Sequence, residues 1–210
     1  MAISTHIMHT NIFTNTSEWV IASHNMGKIK EVNALLSPFG LCARSAYDLG
    51  LPEPDETGQT FAENAALKAK ASAKASQMVA LADDSGLCVE ALDGAPGIYS
   101  ARWAGKPADF QVAIARIKNA LEEKHSQNFS AKFVCVLALT HPKGETRLYE
   151  GAIKGRLSFP PRGKNGFGYD PIFIPEGESE SFAQMDPQLK YTLSHRAKAF
   201  ERLKADIFCL

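Results

Sequence analysis

The chain has only four cysteines in 210 residues, Cys42, Cys88, Cys135 and Cys209, and no two of them form a Cys-x-x-Cys pair. That scatter suggests neither a zinc knuckle nor a disulfide framework, so a reducing cytoplasmic setting is expected. Net charge is also missing, because 23 Lys and Arg balance 23 Asp and Glu. No overall field draws the chain to nucleic acid or to an anionic membrane, so any anion must be held by a local cluster. No apolar stretch approaches the ~18 residues of a membrane span. The first 18 residues contain no Lys or Arg and no apolar block, unlike a secretory signal. Rich in Thr, Asn and His, residues 1–18 read as a loose tail.

What is present is an ordinary globular composition, 45% hydrophobic and 22% charged. That is material for one cored domain over residues 19–210. Trp19-Val20-Ile21-Ala22 predicts a short strand ending at a Ser23-His24-Asn25 turn. Ile29, Val32, Leu35 and Leu36 then recur at helical spacing until Ser37-Pro38 and Gly40 stop them. Thr60 and Glu63 have capping-box spacing, which predicts a helix from there to about Gln77. Met78 to Ala82 reads as a buried strand that ends at Asp83-Asp84-Ser85-Gly86, with a separate extended piece over Leu87 to Leu92. Phe110, Ala113, Ile114, Ile117 and Leu121 mark a third helix. Phe133 to Leu139 and Thr146 to Leu157 form a hairpin about His141-Pro142-Lys143-Gly144. Pro160 to Ile174 reads as loop, and Ser194 caps a last helix carrying Ala197, Phe200, Leu203 and Ile207. The fold class is mixed α/β.

Four segments carry residue types suited to chemistry. Ser23, His24, Asn25, Met26, Gly27 and Lys28 lie at a strand-to-helix turn, where free N–H groups, the helix dipole and a lysine favour an anion. A P-loop would need glycine at Ala22 and Ser or Thr at Ile29, so that motif fails. Glu53, Asp55 and Glu56 in one loop and Asp83-Asp84 at a strand offer hard oxygens from two places, as Mg²⁺ prefers. Neighbouring strand residues face opposite ways, so one aspartate serves such a site and the other supports the backbone. In Gly166-Phe167-Gly168-Tyr169-Asp170-Pro171, glycines admit a ligand close to the backbone and an aromatic ring can stack on a base. Lys190 and Ser194-His195-Arg196 supply donors for phosphate or a base edge. Each segment alone has a plain alternative: a capped helix start, solvated acidic loops, a tight aromatic turn or a charged helix end. Together they describe a nucleoside triphosphate site.

These motifs, with Glu56-Thr57-Gly58, Phe61 to Ala65 and Ala95 to Gly105, appear in an order that closely resembles one family. It is the inosine triphosphatase (Ham1/RdgB-like) family of purine nucleoside triphosphate pyrophosphatases. The resemblance spans about Trp19 to Leu203. It implies an elongated subunit with a curved mixed sheet, flanking helices and two lobes around a central nucleotide cleft. It further implies a homodimer and Mg²⁺-dependent hydrolysis of ITP, dITP and XTP to monophosphate and pyrophosphate. By resemblance, Ser23 to Lys28 line the triphosphate, Asp84 is the proton acceptor and a metal contact, and Asp55 or Glu56 is the second metal contact. Ser85 contacts substrate, and Phe167, Gly168, Tyr169, Asp170, Lys190, His195 and Arg196 line the nucleoside pocket. Three departures stand out: His24 where many members have glycine, Trp103 in place of a more usual tyrosine, and a tail before Trp19 that has no counterpart in the family. On the residues alone, release of the γ-phosphate is equally allowed, and a sensor that binds without cleaving is the rival reading.

Overall fold

A computed structural model describes residues 11–16 and 18–208. Its centre is a six-stranded sheet in the order β2-β1-β3-β4-β5-β6. The strands are β1 (Glu18–Ile21), β2 (Cys42–Ser45), β3 (Val79–Val89), β4 (Ser130–Thr140), β5 (Thr146–Leu157) and β6 (Phe173–Pro175). β1 runs parallel to β2 and β3, and the remaining pairs are antiparallel, so the sheet is mixed. The helices are α1 (Met26–Leu36), α2 (Phe61–Ser76), α3 (Phe110–Glu123), α4 (Pro187–Leu193) and α5 (His195–Ile207).

Local chemistry sets the helix ends. The Asn25 side chain accepts from the Lys28 N–H and starts α1. Thr60 and Glu63 form a reciprocal capping box that starts α2. Ser194 accepts from the Ala197 N–H and starts α5. The hairpin of β4 and β5 and the amphipathic α3 also lie where the sequence patterns place them.

Three expectations need correction, and two elements went unpredicted. The Asp83-Asp84-Ser85-Gly86 run does not end a strand. It lies in the middle of β3, with Asp83 opposite Leu137 and Gly86 opposite Val134 of β4. Cations from neighbouring helices pair with each of its carboxylates, so an acidic run can stay in a buried strand. Pro160 to Ile174 is not all loop, since Phe173–Pro175 adds an edge strand to β5. β2 and α4 have weak sequence signals, the first too short for periodicity and the second only seven residues long. Finally, the expected loose tail is wrong for residues 11–16. Phe13 is fully buried, its carbonyl accepts from Trp19 Nε1 at 3.1 Å, and Asn11 Nδ2 reaches the carbonyl of Ile207 at 3.2 Å. One aromatic residue gives that segment a reason to pack, which an average over a polar stretch conceals. Residues 1–10 of the expected tail lie outside the described residues.

β3, β4 and β5 have 11, 11 and 12 residues, roughly 36 Å each at strand rise, and cross the whole molecule. They join two apolar lobes. At one end Val79, Leu81, Leu137 and Leu139 pack with Val32 and Leu36 of α1 and Phe200 and Leu203 of α5. At the other, Leu87, Val89, Phe133 and Ile153 pack with Ile114 and Ile117 of α3. Small residues, Ala80 and Ala82 on β3 with Ala65, Ala69 and Ala73 on α2, let that helix lie close on the opposite face. The polar middle of β3 therefore sits between the lobes, flanked by α2 on one face and by α1 and α5 on the other.

Candidate active site

Alternation along β3 sends its two aspartates to opposite faces. Asp83 shares a face with Leu81 and meets Lys28 of α1 at 2.7 Å and Arg196 Nε of α5 at 2.7 Å. The Ser85 hydroxyl and the Cys135 thiol also donate to it, at 2.8 and 3.0 Å. Burial would raise its pKa, but Arg196 and then Lys28 overrule it and hold Asp83 well below the ordinary carboxylate range. Asp83 is a permanent anion.

Asp84 looks toward α2. Its Oδ1 accepts from Lys68 Nζ at 2.6 Å, and the same ammonium reaches Glu56 Oε1 at 2.8 Å. Its Oδ2 is buried without a partner. Burial dominates here, and one shared ammonium does not offset it, so Asp84 is pushed up to about 6. Lys68 itself stays charged, because Asp84 and Glu56 together outweigh the burial that would lower it. For Glu56, burial raises and Lys68 lowers, with a lowered pKa as the outcome.

Arg196 is 1% exposed and continues the polar network. Nη1 donates to Glu31 of α1, and Nη2 donates to the Ser85 hydroxyl at 3.2 Å. Glu31 also accepts from Lys190 Nζ at 2.7 Å, and Lys190 reaches Asp170 at 2.6 Å. Asp170 in turn accepts the Phe167 N–H at 2.8 Å. Gly166 and Gly168 adopt φ of +71° and +67°, and a side chain on Gly166 would strike the Asp170 carboxylate. Alternating charges thus run from Lys28 through Asp83, Arg196, Glu31 and Lys190 to Asp170. This ladder ties the start of α1 to the glycine-flanked aromatic turn.

The Phe167 ring closes over Gly27, where any side chain would collide with it, and lies 5.1 Å from Lys190 Nζ. Burial, then Arg196, hold the His195 imidazole well below its usual pKa, so it is neutral. It stacks on Phe133 at 4.7 Å and leaves Nδ1 buried and unpartnered. The Tyr169 hydroxyl donates to the Ser100 carbonyl at 2.9 Å. Asn25, Lys28, Ser85, Phe167, His195 and Arg196 help line one cavity of about 70 Å³ between the lobes, as do Gly168, Tyr169, Asp170 and Lys190.

Most of the candidate residues therefore converge. Ser23 is buried at the turn, where its hydroxyl accepts the Asn25 N–H. Two others look elsewhere. His24 Nε2 lies 3.0 Å from the Leu51 carbonyl, and Met26 is 65% exposed. Of the acidic loop, Glu56 meets the Asp84 cluster, whereas Glu53 and Asp55 are exposed with no described contact to it. Sequence reasoning missed Lys68 and Glu31. Lys68 had a signal: with Ala65, Ala69 and Ser72 it falls on the buried stripe of α2, an odd position for a lysine without a partner. Glu31, beside Val32, had the same signal on α1.

Among the described residues no group of three or more His, Cys, Asp or Glu is placed to hold a metal ion. The pair Glu56 and Asp84 still fits a hard divalent cation. Each has one oxygen on Lys68 and one that is bare (Asp84 Oδ2) or has only Arg102 near it, at 3.9 Å (Glu56 Oε2). Two carboxylates with several waters or phosphate oxygens are what Mg²⁺ typically takes.

Fold and site together define an open-sheet α/β protein with a polar cleft between two lobes and a titratable buried carboxylate on the strand beside it. The chain belongs to the Ham1 family, whose model matches residues 19–206. It is 52% identical over 187 residues to the dITP/XTP pyrophosphatase of Zymomonas mobilis, covering 89% of this chain and 90% of that protein. It is 54% identical over 190 residues to the dITP/XTP pyrophosphatase of Rhodospirillum centenum, covering 90% and 94%. A solved structure of a HAM1 protein from Coxiella burnetii matches with a TM-score of 0.83 and 40% identity, over 92% of this chain and 99% of that one.

Proposed function

We infer that this chain hydrolyses non-standard purine nucleoside triphosphates, ITP, dITP and XTP, to the monophosphate and pyrophosphate, and so keeps them out of DNA and RNA. The observation that carries the reading is Asp84. It is a buried carboxylate with a bare oxygen and a pKa pushed up to about 6, next in sequence to Ser85, which lines the cavity together with Phe167, Lys28, Lys190 and Arg196. Names borne by relatives about half identical over nine-tenths of the chain support the same substrate class.

Asp84 accepts the proton of a water, or orients that water, for attack at the α-phosphorus. A carboxylate that titrates near 6 is ionised at pH 7 yet basic enough for the task. Lys28 and the N–H groups at the start of α1 receive charge on the departing pyrophosphate. Phe167 offers a face to the base, and Arg196, His195 and Lys190 surround that end of the cleft. Three N–H groups of Arg196 are already engaged by Asp83, Glu31 and Ser85, so only its remaining donors are free for a base edge. Glu56 and Asp84 are the residues that would hold Mg²⁺, which would supply neutralisation of phosphate oxygens. The cavity of about 70 Å³ is far below the ~300 Å³ of a small-ligand site. Nucleotide entry therefore requires the Phe167 turn and the start of α1 to part. The reading extends to a cytoplasmic homodimer, for which the scattered cysteines and the family are the support.

The test is a panel of ITP, dITP, XTP, ATP and GTP incubated with protein and Mg²⁺, with both products identified. Pyrophosphate from the first three, far faster than from ATP or GTP, is the expected result. Orthophosphate as product, or equal use of ATP, overturns the reading. Binding of ITP without turnover makes the protein a sensor instead.

A further inference from the structure

The loop from Leu51 to Gly58 has no regular structure of its own, yet Glu56 must be held within reach of Asp84. His24 lies against the Leu51 carbonyl at one end, and the Asn64 side chain accepts the Gly58 N–H at 2.8 Å at the other. Between these two points, one described side chain grips the main chain of the loop. Arg102 Nη2 donates to the Glu56 carbonyl at 2.7 Å, and the same nitrogen is 3.9 Å from Glu56 Oε2. The guanidinium is itself braced, lying 5.0 Å over the Tyr99 ring.

The segment that carries Arg102 is rigid for identifiable reasons. The Ser100 hydroxyl accepts the Leu87 N–H of β3 at 3.0 Å and donates to the Gly97 carbonyl at 2.7 Å. Gly86 has no side chain, and any Cβ there would collide with both groups, so the segment lies directly on the strand that bears Asp84. Arg102 thus links Glu56 to β3 by a path separate from Lys68. Lys68 sets where one oxygen of Glu56 goes, and Arg102 sets where its backbone goes.

We propose that Arg102 is a positioning residue that presents the free oxygen of Glu56 to the divalent cation, acting on the loop and not on the nucleotide. The inference rests on the reading of Glu56 and Asp84 as the cation site. Outer contacts of this kind typically change metal affinity or activity 10–100-fold when removed. Arginine suits the task because its planar fork can donate and stack at once, which lysine cannot do.

The test compares Arg102→Ala, Arg102→Gln and Glu56→Gln with the parent protein. Mn²⁺ binding to the nucleotide-free protein is measured by calorimetry. The Mg²⁺ concentration for half-maximal ITP hydrolysis, KM and kcat are measured alongside. Arg102→Ala should weaken Mn²⁺ binding and raise the Mg²⁺ requirement by about tenfold, with kcat restored at saturating Mg²⁺. Arg102→Gln keeps a donor and should recover part of the loss. A rise in KM for ITP with unchanged Mn²⁺ binding would place Arg102 on phosphate and overturn the proposal. So would parental behaviour in both Arg102 variants, or a lower melting temperature with no change in the cation response. If Glu56→Gln also leaves Mn²⁺ binding unchanged, it is the reading of the cation site that has failed.

Discussion

Asp83 and Asp84 are the same residue type, one position apart on one buried strand, and their surroundings make them chemically different. Asp83 has Lys28, Arg196, Ser85 and Cys135 around it and is held ionised. Asp84 has one ammonium that it shares with Glu56, a bare oxygen and a pKa pushed up to about 6. The strand pleat alone assigns them to different neighbours, α5 and α1 for one, α2 for the other. One carboxylate is an anchor for cations, and the other keeps an oxygen without a partner.

The largest effect should come from Asp84→Asn. It keeps the shape and removes the basic oxygen, so turnover of ITP should fall by ~10²–10⁴-fold with the melting temperature nearly unchanged. A variant that still turns over at the parental rate would move the catalytic centre elsewhere. Asp83→Asn should show the opposite split. It leaves the buried Arg196 and the partly buried Lys28 short of a charge, which costs about 3–5 kcal/mol, read as a lower urea midpoint. If it folds normally but is inactive while Asp84→Asn stays active, the two roles are reversed.

A medium effect is expected from pH. Asp84 must be ionised to act, so kcat/KM should drop about tenfold per pH unit below pH 6. Stability from Asp83 behaves differently, because a lowered carboxylate pKa contributes in full above the ordinary value of 3.8 and is lost only as pH falls through the lower folded value. Between pH 5 and pH 6 activity should therefore fade while the contribution of Asp83 to the urea midpoint does not. Lys68→Gln sharpens this, because removing the ammonium leaves burial opposed only by Lys28 and moves the acid limb upward, by about one unit or more. An unmoved limb would mean that another group titrates. The smallest effect belongs to Cys135→Ala, which removes one weak donor from Asp83. A loss of about 1 kcal/mol in denaturant unfolding, with the acid limb of the rate profile unmoved, is expected.

The sequence by itself determined the elements with strong local signals. The capping box of Thr60 and Glu63, the caps at Asn25 and Ser194 and the apolar run of β4 depend on groups within a few residues of one another. The same holds for the prediction that adjacent aspartates diverge, because a pleat has a period of two. It also named most of the cleft, since glycine-flanked aromatics and basic residues at helix starts are visible as strings. Tertiary structure decided what depends on partners far apart along the chain. It made Asp83 to Gly86 the middle of a strand, because Lys28, Lys68 and Arg196 arrive from three helices to neutralise it. It selected Glu56 over Asp55, engaged Arg196 between two carboxylates and buried Phe13 beneath an otherwise polar segment. Burial and Coulomb energy depend on distance in space, and a one-dimensional pattern does not contain those distances.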